Sequence, residues 1–309
     1  MRVLLAEPRG FCAGVDRAIA IVEKALEKFG PPIYVRHEIV HNRWVVDSLR
    51  RKGAKFVQEL DDVPDGATVI YSAHGVSKAV ESEGKSRPLQ VLDATCPLVG
   101  KVHREAERLD KEGQRVILIG HKGHPEVEGT VGQLAPGKIE VLSQVSEVKE
   151  LTHAHQQKTA FITQTTLSLD ETAEVVQALR DKFPGIQEPG REDICYATQN
   201  RQNAVKALIK ECDLVLVIGA PNSSNSNRLR EVAERGGVKA HLIESAEDIN
   251  WAWLEGVSCL GVTAGASAPE ILIEGLLEFL SSRVEQVDVL SISEENLVFP
   301  LPKMLQESD

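Results

Sequence analysis

The chain has 309 residues, 42% of them hydrophobic and 26% charged, with a formal net charge of −11. This is the composition of an ordinary globular protein of about two or three domains. The charge argues against non-specific nucleic-acid binding, which needs many Lys and Arg to displace phosphate counterions. No apolar run reaches the ~20 residues of a membrane helix, and the start MRVLLAEPRG reads as a strand rather than a signal peptide. A cytoplasmic protein without membrane contact is therefore expected. Its cysteines are Cys12, Cys96, Cys195, Cys212 and Cys259. An odd number with no CxxC speaks against a disulfide framework, thioredoxin-type chemistry and the common zinc spacings.

In chain order, the first strand runs into CAGVDRAIAIVEKALEKFG, whose apolar residues recur at helical spacing from Cys12 to a stop at Gly30. PIYVRHEIVHNRWVVDSL and ATVIYSAHGVSKAV then each read as strand, polar loop and helix. The order repeats from Cys96: a helix CPLVGKVHREAERLDKEG ending at Gly113, then RVILIGHKGHPEVEGTVG and TAFITQTTLSLDETAEVVQAL. It repeats again from Cys195: CYATQNRQNAVKALIKEC, LVLVIGAPNSSNSNRLREVAERG and CLGVTAGASAPEILIEGLL. The three cysteines lie 84 and 99 residues apart, and the next polar loop follows each of them by 28 or 29 residues.

This register predicts an α/β fold of three similar small domains with parallel sheets, residues 1–95, 96–192 and 193–283, followed by a motif-free tail, 284–309. Polar loops after parallel strands gather at one sheet edge. Three domains packed about a pseudo-threefold axis would aim theirs into one central cavity. The third repeat is the least regular, because GIQEPGREDIC offers no good strand before Cys195. Whether the N-terminal strand completes a sheet elsewhere stays open at this point.

Each of Cys12, Cys96 and Cys195 opens a helix, where the macrodipole and free backbone N–H groups stabilise a thiolate. Three thiolates are one short of the usual four-cysteine centre and suit a metal group that keeps a coordination position open, for catalysis or for sensing. Cys212 and Cys259 begin apolar strands and read as core. The loops contribute His41, Asn42, His74, His124, Glu126, Thr165, Thr166, Ser223 through Asn227, and Ser267. His103, His121, His153, His155 and His241 share no such register and read as core or surface. NSSNSN and TAGASAPE each lie between a strand and a helix, the context of N-cap donors for an anion. No Walker A sequence and no GxGxxG after a strand are present, so a nucleotide cofactor lacks support.

RGFCAGVDRAI, YVRHEIVHN, SAHGVS, DATCPLV, GHPEVEGT, TQTTLS, CYATQNRQ, NSSNSNRL and TAGASAP together resemble the motifs of the 4-hydroxy-3-methylbut-2-enyl diphosphate reductase (IspH/LytB) family. The resemblance implies a 4Fe–4S cluster held by Cys12, Cys96 and Cys195, with one iron open. It further implies a diphosphate lying among His41, His74, Ser223, Ser224, Asn225 and Ser267, and an allylic hydroxyl near His124, Glu126 and Thr165. The reaction implied is reductive dehydroxylation to isopentenyl and dimethylallyl diphosphate, the last step of non-mevalonate isoprenoid synthesis, fed by a ferredoxin- or flavodoxin-type donor. Hydroxide is a poor leaving group and needs a Lewis acid and a proton source. The open iron meets the first need, and Glu126 is assigned the second, with His124 and Thr165 relaying or positioning. Two other readings are an iron–sulfur sensor without turnover and a metal-free diphosphate hydrolase or transferase with core cysteines. Neither accounts for both the acid beside a histidine and the three helix-opening thiols.

Overall fold

A computed structural model describes residues 1–152 and 158–306. In chain order the elements are β1 (Arg2–Glu7), α1 (Ala13–Phe29), β2 (Ile33–Arg36), α2 (Arg43–Lys52), β3 (Ala54–Val57), β4 (Thr68–Tyr71), α3 (Lys78–Ser86) and β5 (Gln90–Asp93). Then come α4 (Pro97–Lys111), β6 (Arg115–Ile119), α5 (Pro125–Val131), β7 (Ile139–Leu142), α6 (Val145–Glu150), β8 (Thr159–Thr163) and α7 (Leu169–Lys182). The last are α8 (Tyr196–Leu208), β9 (Leu214–Ile218), α9 (Ser224–Arg235), β10 (Lys239–Ile243), β11 (Cys259–Ala264), α10 (Glu270–Leu280) and β12 (Gln286–Ser291). All six strand–loop–helix units expected from periodicity form, and each of the three cysteines stands immediately before a helix. No helix of the described residues is long and apolar enough to cross a membrane.

The strands build three separate parallel sheets, in the orders β10–β9–β11–β1–β12, β3–β2–β4–β5 and β7–β6–β8. Every ladder between them is parallel, which needs a crossover between successive strands and explains the alternation with helices. The chain divides into two compact units.

The first unit comprises Met1–Asp16, Val40–Ser48 and Tyr196–Val298 and contains the five-stranded sheet. Its interior strand β1, between β11 and β12, reads as a continuous apolar run because both faces are covered. Val3 and Leu5 pack with Ile273, Leu276 and Leu280 of α10. Leu4 and Ala6 pack on the opposite face with Ala204, Leu208, Cys212 and Cys259. Cys212 and Cys259 are buried, their sulfurs 3.5 Å apart. This sheet takes β1 from the start of the chain and β12 from the tail, so residues far apart in sequence supply its strands.

The second unit comprises Arg17–Ile39, Leu49–Cys195 and Phe299–Asp309 and holds the other two sheets. Between α7 and α8 the described residues form no named strand, only a single parallel bridge from Gln187 to Ala160. The loop after β4 docks on α5. The Gln133 amide donates to Val76 O at 2.7 Å, and Lys78 N donates to Gly132 O at 3.0 Å. Gly129 permits this approach, since a Cβ there would press on the Gly75 backbone at 3.2 Å.

Candidate active site

In the second unit, Cys96 occupies the N-cap of α4, with Pro97 at the first helical position. Its N–H donates to Ala73 O at 3.0 Å, which fixes the helix start to the loop carrying His74. The His74 ring lies 5.7 Å from that of His124, nearly perpendicular to it, and its Nδ1 is 3.3 Å from Ser72 Oγ. His124 caps α5: its Nδ1 accepts the Glu126 N–H at 3.1 Å. A nitrogen that accepts a backbone N–H carries no proton, so the neutral ring keeps its hydrogen on Nε2.

Glu126 is buried, and both carboxyl oxygens meet Thr165: Oε1 accepts the Thr165 N–H at 2.7 Å, and Thr165 Oγ1 donates to Oε2 at 3.0 Å. Burial pushes this carboxyl up to about 7. The Thr165 bonds oppose the rise, and the nearby Asp193 charge adds to it. Thr165 O in turn accepts the Cys195 N–H at 3.0 Å, so the acid and the thiol that opens α8 share one residue as a support. Thr166 accepts from the Gln164 amide at 3.0 Å.

In the first unit, Cys12 precedes α1, and its carbonyl accepts the Asp16 N–H at 2.9 Å. Burial pushes the Cys12 thiol up, while Arg201 and the backbone N–H groups of Val15 and Gly14 pull it back toward the thiolate. Three of the loops expected to take an anion, those carrying His41, residues 223–227 and Ser267, belong to the same unit as Cys12. Ser267 Oγ donates to His41 O at 2.9 Å, and His41 Nδ1 lies 3.2 Å from the Asn222 amide. Asn42 Oδ1 caps α2 through Val45 N at 3.1 Å. Asn225 joins two loops: its Oδ1 accepts Ala266 N at 2.8 Å and its amide donates to Thr198 Oγ1 at 3.4 Å. Ser223 caps α9, accepting from Ser226 N at 3.3 Å and from Ser226 Oγ at 3.0 Å, and Ser224 begins that helix. Gly219 and Gly265 leave the space that the Ser226 hydroxyl fills, where a Cβ on either would collide with it.

The first unit thus contains Cys12, His41, Ser223, Ser224, Asn225 and Ser267, and the second contains Cys96, Cys195, His74, His124, Glu126 and Thr165. Of the histidines set aside, His103 is buried against Gly75, and burial lowers it to about 4. His241 stacks on Trp253. His153 and His155 lie outside the described residues. Three supporting residues carry no sequence signal of that role, although Arg201 lies within CYATQNRQ. Lys101 on α4 donates to Arg191 O, Glu192 O and Asp193 Oδ1 at 2.8–3.2 Å. Asp193 also accepts Thr163 N at 3.0 Å, and Arg201 is wholly buried.

The donor set suits a soft metal group: three thiols at helix starts, none in a disulfide. Among the described residues no three His, Cys, Asp or Glu side chains converge on a single metal-ion position.

A family model described as LytB protein matches residues 3–281. A Magnetococcus marinus protein named 4-hydroxy-3-methylbut-2-enyl diphosphate reductase is 67% identical over 307 residues, covering 99% of this chain and 100% of its own. A protein of the same name from Acinetobacter baylyi is 59% identical over 310 residues, covering 99% of this chain and 98% of its own. The solved structure of the E-1-hydroxy-2-methyl-but-2-enyl-4-diphosphate reductase from Plasmodium falciparum is similar with a TM-score of 0.95 and 40% identity, covering 99% of this chain and 96% of that one.

Proposed function

The chain belongs to the LytB protein family, and from that premise we propose that it is an oxidoreductase that removes the hydroxyl of 4-hydroxy-3-methylbut-2-enyl diphosphate. The products are isopentenyl and dimethylallyl diphosphate, and the overall change is uptake of two electrons and two protons with release of water. The observation that carries this reading is Glu126, a buried carboxyl held near neutral pH by its surroundings. A proton donor matched to the working pH is what loss of hydroxide requires. A sensor without turnover would have no use for it.

Cys12, Cys96 and Cys195, one from each repeat, would hold a 4Fe–4S cluster. When bound, that group supplies Lewis acidity toward the substrate oxygen and electrons one at a time. The chain's own residues do the rest. Glu126 holds the proton, Thr165 aims the carboxyl through two hydrogen bonds, and His124, whose Nδ1 accepts the Glu126 N–H, would offer Nε2–H to the substrate. His41, His74, Ser223, Ser224, Asn225 and Ser267 take the diphosphate. Hydroxyls, amides and helix N-termini let a protein of net charge −11 bind an anion. Binding energy from the diphosphate positions the reacting end. A ferredoxin- or flavodoxin-type protein in the cytoplasm would deliver the electrons.

The test is anaerobic purification with iron and sulfide analysis, followed by an assay with the allylic diphosphate and a one-electron reductant. A brown protein that forms both five-carbon diphosphates is expected. A colourless, fully active protein would overturn the cluster, and an iron-loaded protein that forms neither product would overturn the reaction.

A further inference from the structure

Arg201 on α8 is fully buried, and each of its three guanidinium nitrogens donates to a protein acceptor. Its Nε and Nη2 donate to Gly10 O at 3.1 and 2.7 Å, and Nη2 also donates to Phe11 O at 3.1 Å. Nη1 donates to Ala197 O at 2.9 Å and to both oxygens of Glu295 at 3.0 and 3.2 Å. Asn200 adds a bond to Glu295 at 3.0 Å. Glu295 belongs to the irregular segment after β12, in the tail that showed no motif. Its side chain is 13% exposed.

A buried guanidinium needs a counter-charge, because removing one partner of such a pair leaves the other charge uncompensated. Asp16 also faces Arg201, but among the described residues only Glu295 meets it in a direct ion pair. Two of the three carbonyls that Arg201 holds belong to Gly10 and Phe11, the residues immediately before Cys12. The Gly10 backbone is otherwise tied by its N–H to Ala264 O at 3.2 Å, and it sits at a φ of +66°. Ser293–Asn296 also line a polar cavity of about 460 Å³ together with Pro8, Arg9 and Phe11 of the same loop. Water entering there would compete for the Gly10 and Phe11 carbonyls.

We propose that Glu295 is a positioning residue for Cys12: by pairing with buried Arg201 it locks the Gly10–Phe11 carbonyls and so sets the loop that presents the thiol. The proposal rests on the reading of Cys12 as an iron ligand, and the experiment separates the two. Full-length parent, E295A, E295Q and the neighbouring control E294Q are purified anaerobically. Iron content and the rate of iron loss to a chelator are measured. Each iron-stripped chain is then alkylated with iodoacetamide, and Cys12 and Cys96 are followed by peptide mass mapping.

E295A is expected to lose iron faster and to raise Cys12 alkylation about tenfold or more, because local opening no longer breaks a buried ion pair. Cys96 stays within about twofold of parent, as a site-selective effect requires. E295Q keeps an acceptor for Arg201 and Asn200 and gives a smaller, equally selective rise of about threefold. E294Q behaves as parent. Cys12 within about twofold of parent in both Glu295 variants, or Cys12 and Cys96 rising together, overturns the proposal. If E295A does not fold, E295Q decides by the same comparison. A parent chain without iron would sink the ligand reading alone, since the alkylation comparison still reports on the loop.

Discussion

Thr165 holds Glu126 by both carboxyl oxygens, through its backbone N–H at 2.7 Å and its hydroxyl at 3.0 Å. Those bonds favour the carboxylate, yet burial outweighs them and keeps the group protonated up to about pH 7. Replacing Glu126 by Gln removes the acid and keeps a shape that can still pair with Thr165. Product formation is expected to fall by about 10²-fold or more, in the range of general-acid contributions, with iron content unchanged. An E126Q protein as active as parent would remove Glu126 from the mechanism.

The same carboxyl sets a pH dependence of stability. Its folded pKa, about 7, lies above the ordinary 4.5. The native state therefore binds more protons than the unfolded one between these values, and stability falls as pH rises. The contribution is fully present below about pH 4.5 and is lost as pH passes about 7. Thermal melts of parent and E126Q at pH 5 and pH 8 check this, with E126Q expected to lose less stability across the interval. Turnover should decline over the same upper limb, as the donor ionises.

The five cysteines divide by environment. Serine at Cys12, Cys96 or Cys195 should each strip most of the iron and sulfide, because each thiol opens a different helix and none can substitute for another. Serine at Cys212 or Cys259, buried among Leu4, Ala6 and Leu208, should leave the metal content intact and lower stability by about 1 kcal/mol. Elemental analysis and urea unfolding separate the two groups.

Asn225 and Ser267 hold the anion loops by bonds to Ala266 N and His41 O at 2.8 and 2.9 Å. N225A and S267A are expected to raise KM for the allylic diphosphate by about tenfold each, the value of ~1.4 kcal/mol of lost hydrogen bonding. kcat should change less if these residues take the diphosphate, as proposed, and not the reacting end. Steady-state kinetics under anaerobic conditions would show the reverse split if they acted in the chemical step.

Lys101 ties α4 to the segment leading into Cys195, through an ion pair to an Asp193 side chain with no exposure. K101M leaves that carboxylate buried without its partner. A loss of about 2–3 kcal/mol is expected in urea unfolding, below the usual range for a buried pair because Lys101 itself is 33% exposed. An unchanged midpoint would mean that the pair contributes no net stability.

Much of this was legible in the sequence. The three helices start where Cys12, Cys96 and Cys195 predict, because capping and helical periodicity are local. Gly30 and Gly113 follow the first two helices with φ of +75° and +72°, conformations that favour glycine. The six polar loops carrying His41, His74, His124, Thr165, Ser223 and Ser267 likewise follow from strand–loop–helix order. Arg201 and Asp193 were not legible as supports, since a charged residue within a helix or loop usually faces water and only its burial reveals a role.

By itself the sequence determined which segments are strands and helices, which thiols open helices, and which side chains fall on the loops between them. These properties rest on residue spacing and on caps a few positions away. Only the tertiary structure decided that β1 lies between β11 and β12, that Glu126 is a near-neutral acid, and that Glu295 answers the charge of Arg201. Strand pairing joins residues 284 positions apart, as Arg2 beside Gln286 in the β1–β12 ladder shows. The free energy of such contacts depends on what is excluded from water around them, which no local pattern encodes.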